Sequence, residues 1–110
     1  MEILSSEIPV KSIRLSLIDR GKEIGHAYLQ LVVNGLHSQP YGLLEDVFVK
    51  KENRGAGHGT TLVKAVIEQA RALGCYKLVA FSRYQRTKVH AWYGSLGFQD
   101  YGKEFRLDLE

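Results

Sequence analysis

Arg54-Gly55-Ala56-Gly57-His58-Gly59 places three glycines within five positions, directly ahead of a segment with helical apolar spacing. Glycine lets a backbone pass close to an oxygen-rich ligand, and a helix start offers unpaired N–H groups at a positive dipole end. The pattern suits a phosphate, while the same glycines would also serve a sharp strand-to-helix turn with no ligand. Two familiar phosphate loops do not fit. A nucleotide P-loop needs Lys-Ser/Thr after its last glycine, whereas Gly59 is followed by Thr60-Thr61. A dinucleotide fingerprint needs Gly or Ala where Thr60 stands, and an acid at the end of the next strand, where the chain has Phe81-Ser82-Arg83.

Groups able to move a proton are few. Glu45 and Asp46 interrupt an otherwise apolar run. Adjacent residues of a regular strand face opposite sides, so this pair cannot share a proton and only one of the two faces a ligand. Of the four histidines, His58 lies inside the glycine loop near any bound phosphate. His26 and His37, on the second strand and the loop after it, are reserve bases. No two histidines have metal-ligand spacing on a helix, and no metal site is expected. Arg83, Arg86 and Lys88 form a basic cluster that suits either a phosphate or a solvated face.

The elements that must position these groups follow from periodicity. Residues 12–19 alternate Ile13, Leu15 and Leu17 with Arg14 and Ser16, which predicts a half-buried strand turned by Arg20-Gly21-Lys22 into a return strand over residues 23–33. Residues 43–49 are apolar on both parities apart from the two acids, which predicts a central strand covered on both faces. After the glycine loop, Leu62, Val63, Val66, Ile67, Ala70 and Leu73 predict a helix over residues 60–73, stopped by Gly74. A further buried strand over 77–81, a short helix over 87–96 and a last strand carrying Phe105, Leu107 and Leu109 complete the order βββαβαβ. That order is an α/β (α+β) fold with helices against a mixed sheet, in a single domain over residues 1–110.

Composition narrows the function. The chain has 110 residues, 45% hydrophobic and 25% charged, which excludes a disordered or collagen-like chain and a two-domain enzyme. Its formal charge of +3 arises wholly in the second half, where eight basic residues face five acidic ones. So mild a bias suits a small anionic ligand, and with no block of like charges a nucleic-acid partner is not expected. Cys75 is the only cysteine, which excludes an intrachain disulfide and favours a reducing, cytoplasmic setting. No apolar run approaches a membrane span, and the opening MEILSSEIPV has no signal-peptide pattern.

The loop from Arg54 to Gly59 resembles the Arg/Gln-x-x-Gly-x-Gly/Ala pattern of the GNAT superfamily of N-acetyltransferases. Upstream, Glu45-Asp46-Val47-Phe48-Val49 is similar to that family's central strand. Downstream, His90-Ala91-Trp92-Tyr93-Gly94-Ser95-Leu96-Gly97-Phe98 resembles its second helix and closing Tyr-x-x-x-Gly-Phe signature. The resemblance runs from about residue 12 to the C-terminus and is sharpest over 44–98; order and spacing together make it specific.

The resemblance implies that acetyl-CoA is the acyl donor and that the acetyl group passes directly to a primary amine in a ternary complex. Loop residues Arg54, Gly55, Ala56, Gly57, His58, Gly59 and Thr60 would cradle the pyrophosphate. The central strand would splay from its neighbour at a bulge, and Val47, Phe48 and Val49 would run along the pantetheine arm, with the Val47 N–H near the thioester carbonyl. Tyr93 would protonate the departing thiolate, and Glu45 would be the base or the amine-binding acid.

Two departures qualify the match. Arg86 stands where many members carry an asparagine that holds the cofactor, and could meet a coenzyme A phosphate instead. The ten residues before Lys11 are too few for the family's usual first strand and two helices, so the acceptor site would be open to a small-molecule, peptide or protein amine, or completed by a second subunit in a homodimer. The alternative reading is an inactive acyl-CoA binding or sensing module, with a small basic nucleic-acid binder as the more distant rival.

Overall fold

The computed structural model describes residues 1–110 and falls into two compact units, Met1–Ala80 and Phe81–Glu110. In the first unit, β1 (Ser12–Asp19), β2 (Lys22–Val32), β3 (Tyr41–Val49) and β4 (Leu78–Ala80) form one sheet in that order. The first three strands are antiparallel and β4 runs parallel to β3. A 3-10 turn (Lys51–Asn53) and the helix α1 (His58–Ala72) link β3 to β4. The second unit holds one helix, α2 (Thr87–Ser95).

Helix α1 forms because Leu62, Val63, Val66 and Ala70 fall on one face, where all four are buried. It ends where Gly74 takes a left-handed φ of 78°: the Gly74 N–H donates to the Arg71 carbonyl and the Cys75 N–H to the Ala70 carbonyl, which closes the last turn. The apolar face of α1 meets Ala27, Leu29 and Leu44 of the sheet, which are also buried. Leu29, Val63 and Val66 are fully enclosed, each worth about 1.5–3 kcal/mol of burial. Close approach depends on Gly25, where a Cβ would lie 2.8 Å from the Phe48 carbonyl oxygen and 3.1 Å from Leu62 Cδ1.

β3 is central, as its apolar run predicts, but only residues 42–44 pair with β4, opposite 78–80. The expectation that both its faces are covered fails in its second half, where Glu45, Asp46 and Phe48 are exposed. The expected last strand is also absent: residues 101–110 form no regular element, and Phe105, Leu107 and Leu109 are each more than 80% exposed. Alternation supplies one apolar face, but a strand also needs a hydrogen-bonded neighbour, and no ladder reaches this segment. The observed order is therefore βββαβα.

Candidate active site

Register fixes the geometry of β3. His26 of β2 pairs with Phe48 and Tyr28 pairs with Glu45, so Ala27 alone faces both Asp46 and Val47. This is a β-bulge, and within it Asp46 has a left-handed φ of 50°. Aspartate tolerates that conformation better than most residues, at a cost of about 1 kcal/mol.

The bulge overturns the expectation that Glu45 and Asp46 face opposite sides. Glu45 shares a face with its partner Tyr28, whose hydroxyl accepts a hydrogen bond from Arg14 Nε at 3.1 Å. Asp46 reaches the same face, where its Oδ2 lies 2.9 Å from His26 Nε2. The rule of alternation presumes a regular strand, and the extra residue resets it. The His26 ring stacks on Phe48 with centroids 5.4 Å apart and meets the edge of Tyr28 at 5.7 Å. This polar face lies opposite the one that packs on α1. His37, the other reserve base, stacks instead on Tyr76, close to the start of β3.

An ion pair flanks the face. Arg14 Nη2 donates to Glu23 Oε2 at 2.8 Å, and this guanidinium holds the Glu23 carboxyl at about 2, well below its ordinary value. The same pairing raises the Arg14 value further.

Beyond Leu44, no strand pairs with β3 on its β4 side. The open stretch runs into the glycine loop, where Arg54 Nε donates to the Val49 carbonyl at 2.8 Å and its guanidinium sits 5.5 Å from the Phe48 ring centre. Gly55 and Gly57 take left-handed φ values of 88° and 81°. Gly57 is the N-cap of α1, which has no side-chain cap and no acidic residue in its first turn. The Gly57 carbonyl accepts from both the N–H and the Oγ1 of Thr61, at 3.1 and 3.2 Å. A helix start with neither a side-chain cap nor a nearby acid suits an anion. The sequence places Val47, Phe48, Val49 and residues 54–60 along this one path; it does not reveal that Arg54 occupies the Val49 carbonyl.

In the second unit, Tyr93 lies on α2, stacked on Trp92 at 5.1 Å and tilted against Phe98 at 5.2 Å. Burial pushes its phenol above the ordinary value, opposed by the positive charge of Arg86 at the α2 N-cap. The phenol thus holds its proton at neutral pH, as a proton donor requires. Arg83, Arg86 and Lys88 are all exposed. The Arg83 carbonyl accepts a hydrogen bond from the His90 ring at 2.8 Å, which ties the start of this cluster to α2. Ser82 Oγ, just after β4, is shielded from solvent and has no hydrogen-bond partner, and no motif had singled it out. No group of three His, Cys, Asp or Glu side chains could hold a metal ion, and no helix is long and apolar enough to cross a membrane.

Comparison with known proteins agrees with this fold. The chain is 35% identical over 95 residues to an aminoglycoside N(6')-acetyltransferase type 1 of Stenotrophomonas maltophilia, covering 82% of this chain and 62% of that protein. It is 40% identical over 68 residues to a glucosamine 6-phosphate N-acetyltransferase of Trypanosoma brucei brucei, covering 62% of this chain and 44% of that one. The chain thus spans between 44% and 62% of the length of these relatives. Among solved structures, the aminoglycoside N-acetyltransferase AAC(6')-Iy, in complex with the bisubstrate analog CoA-S-monomethyl-acetylneamine, has the same fold. That match has a TM-score of 0.75 at 24% identity, over 90% of this chain and 69% of the other. The model of the acetyltransferase (GNAT) family matches residues 11–98, and the chain belongs to that family.

Proposed function

We propose that residues 1–110 form one N-acetyltransferase domain that moves an acetyl group from acetyl-CoA to a small-molecule primary amine in a ternary complex. The observation that carries this reading is the end of β4 at Ala80, opposite Leu44, which leaves residues 45–49 of β3 with no strand paired on that side, in a run that leads directly to a start of α1 without a side-chain cap. An extended pantetheine arm fits such an edge, and the loop at residues 54–60 fits its pyrophosphate. The N–H of Val47, at the bulge, is the donor assigned to the thioester oxygen as charge develops on it. Val49 takes part through its N–H, because its carbonyl already accepts from Arg54.

Tyr93 is the proton donor to the leaving thiolate, and Arg86, whose positive charge reaches the Tyr93 phenol, is the residue assigned to a coenzyme A phosphate. Glu45, exposed beside the bulge, draws the ammonium of the acceptor to the strand. Amino sugars head the acceptors to try, since the names of both curated relatives specify an amine on an amino sugar.

A thermal-shift titration with acetyl-CoA, CoA, ATP and NAD tests the donor, because a ligand that binds the native state raises Tm by mass action. Stabilisation by the first two alone is expected. Turnover is then read with glucosamine 6-phosphate, neamine, spermidine and a lysine peptide. Tyr93→Phe should lower kcat about a hundredfold and leave the acetyl-CoA shift intact. Binding without turnover on any amine would reduce the protein to an acyl-CoA binding module.

A further inference from the structure

We infer that His26, aimed by Asp46 through the β3 bulge, is the group that takes the proton from the acceptor amine. The inference rests on the acetyl-transfer reading above and assigns within it a role that neither Glu45 nor Tyr93 fills.

An ionised carboxylate only accepts hydrogen bonds, so the 2.9 Å contact with Asp46 Oδ2 requires the hydrogen on His26 Nε2. In the neutral ring Nδ1 is then the bare nitrogen, and it has no hydrogen-bond partner. A histidine with one nitrogen fixed by a carboxylate and the other open is the arrangement a general base needs. The side chain is 19% exposed and held between the Phe48 and Tyr28 rings, so its plane is set before any ligand arrives.

The strain at Asp46 points the same way. A regular β3 would send this side chain toward α1, away from His26. The bulge and the left-handed φ of 50° turn it onto the polar face instead, so that backbone strain is spent on making the pair. Val47, the other residue of the bulge, carries the N–H assigned to the thioester oxygen. One irregularity thereby places the carboxylate that aims His26 and the oxyanion donor on neighbouring positions.

The surrounding charges leave His26 to act. Asp46 and Glu45 face it from β3. Glu23 lies near it on β2 but is neutralised by Arg14 of β1, and the Arg54 guanidinium sits 5.5 Å from the centre of the Phe48 ring on which His26 stacks. Glu45 is exposed and makes no ion pair, which leaves its carboxylate free to attract an ammonium.

The ammonium gives one proton to Nδ1, and the free amine then attacks the acetyl carbon, forming a C–N bond and an oxyanion. Collapse of the oxyanion breaks the C–S bond. The thiolate takes a proton from Tyr93, and the second proton lost by nitrogen restores the phenol through solvent. The imidazolium releases its proton to water, so one ammonium and one thioester yield an amide, a thiol and one proton.

The test is the pH dependence of kcat/KM for acetyl transfer to glucosamine 6-phosphate or neamine, measured for wild type, His26→Gln, Asp46→Ala and Glu45→Gln, with the acetyl-CoA thermal shift as a check that each variant folds and binds. Wild type should show a limb on the acid side, where protonation of the base stops transfer. In His26→Gln that limb should vanish and the plateau fall about a hundredfold. Asp46→Ala should lower kcat with the limb retained, and Glu45→Gln should raise KM for the amine with the limb retained. Imidazole nitrogen NMR gives a readout apart from turnover: the Nε2–H form in wild type, a mixture of tautomers in Asp46→Ala. A His26→Gln enzyme with the wild-type limb and rate would overturn the assignment, as would loss of the limb in Glu45→Gln alone. Absence of turnover in wild type would instead overturn the transfer reading beneath it.

Discussion

Residues 42–44 of β3 are held by β2 on one side and β4 on the other, with Leu44 and Gly42 buried. Residues 45–49 of the same strand keep only β2, contain a bulge, and expose Glu45, Asp46 and Phe48. The first half obeys the alternation that builds a core. The second departs from it, and its departures supply the pieces of the site: an open edge, a turned carboxylate and a run into the glycine loop. A continuous strand can thus divide its labour, with regularity stabilising the fold and irregularity placing the chemistry.

This contrast makes predictions that differ in size. Leu44→Ala should cost about 2–5 kcal/mol in urea unfolding, because the half of β3 that it weakens has no slack in which to collapse. Gly57→Ala should cost about 1–2 kcal/mol, since alanine is strained at a φ of 81°, and it should also weaken the stabilisation by acetyl-CoA. Asp46→Gly should stay within about 1 kcal/mol of wild type, because glycine accepts the left-handed backbone; only turnover should suffer. If Asp46→Gly destabilised the protein as much as Leu44→Ala, the contrast between the two halves would be lost.

The smallest effect concerns the ion pair beside the site. The Glu23 carboxyl titrates near 2 in the folded chain against an ordinary value of 4.5, so its stabilisation is present above pH 4.5 and is lost as pH falls through about 2. Arg14→Met should flatten that part of the wild-type profile of urea midpoint against pH, and high salt should shrink the difference, as both partners are partly exposed.

Much of the frame was legible in the sequence because it depends on local signals. The hairpin at Arg20-Gly21 and the strands beside it follow a period of two, and α1 follows a period of 3.6 with Gly74 as its stop. The helix starts at His58 rather than Thr60, since Gly57 caps it with its backbone alone. The last strand misled because alternation at Phe105, Leu107 and Leu109 says nothing about a partner. The bulge was implied by family resemblance, but its effect on Asp46 was not. It arises from the pairing of two strands out of step, and no composition marks it. For the same reason the contact of His26 with Asp46, twenty residues apart, could not be read from spacing, although His26 had stood as a reserve base.

The lack of a paired strand beside residues 45–49 on the β4 side also bears on how the chain behaves in a crowded solution. An unpaired strand edge invites a second chain to extend the sheet, the first step toward aggregation. Here the edge is not flat. The bulge twists it, two adjacent carboxylates make it negative, and Arg54 already occupies the Val49 carbonyl. A regular, uncharged strand would find few complementary positions along it, whereas a slender ligand that needs only one or two of its amides would not be turned away.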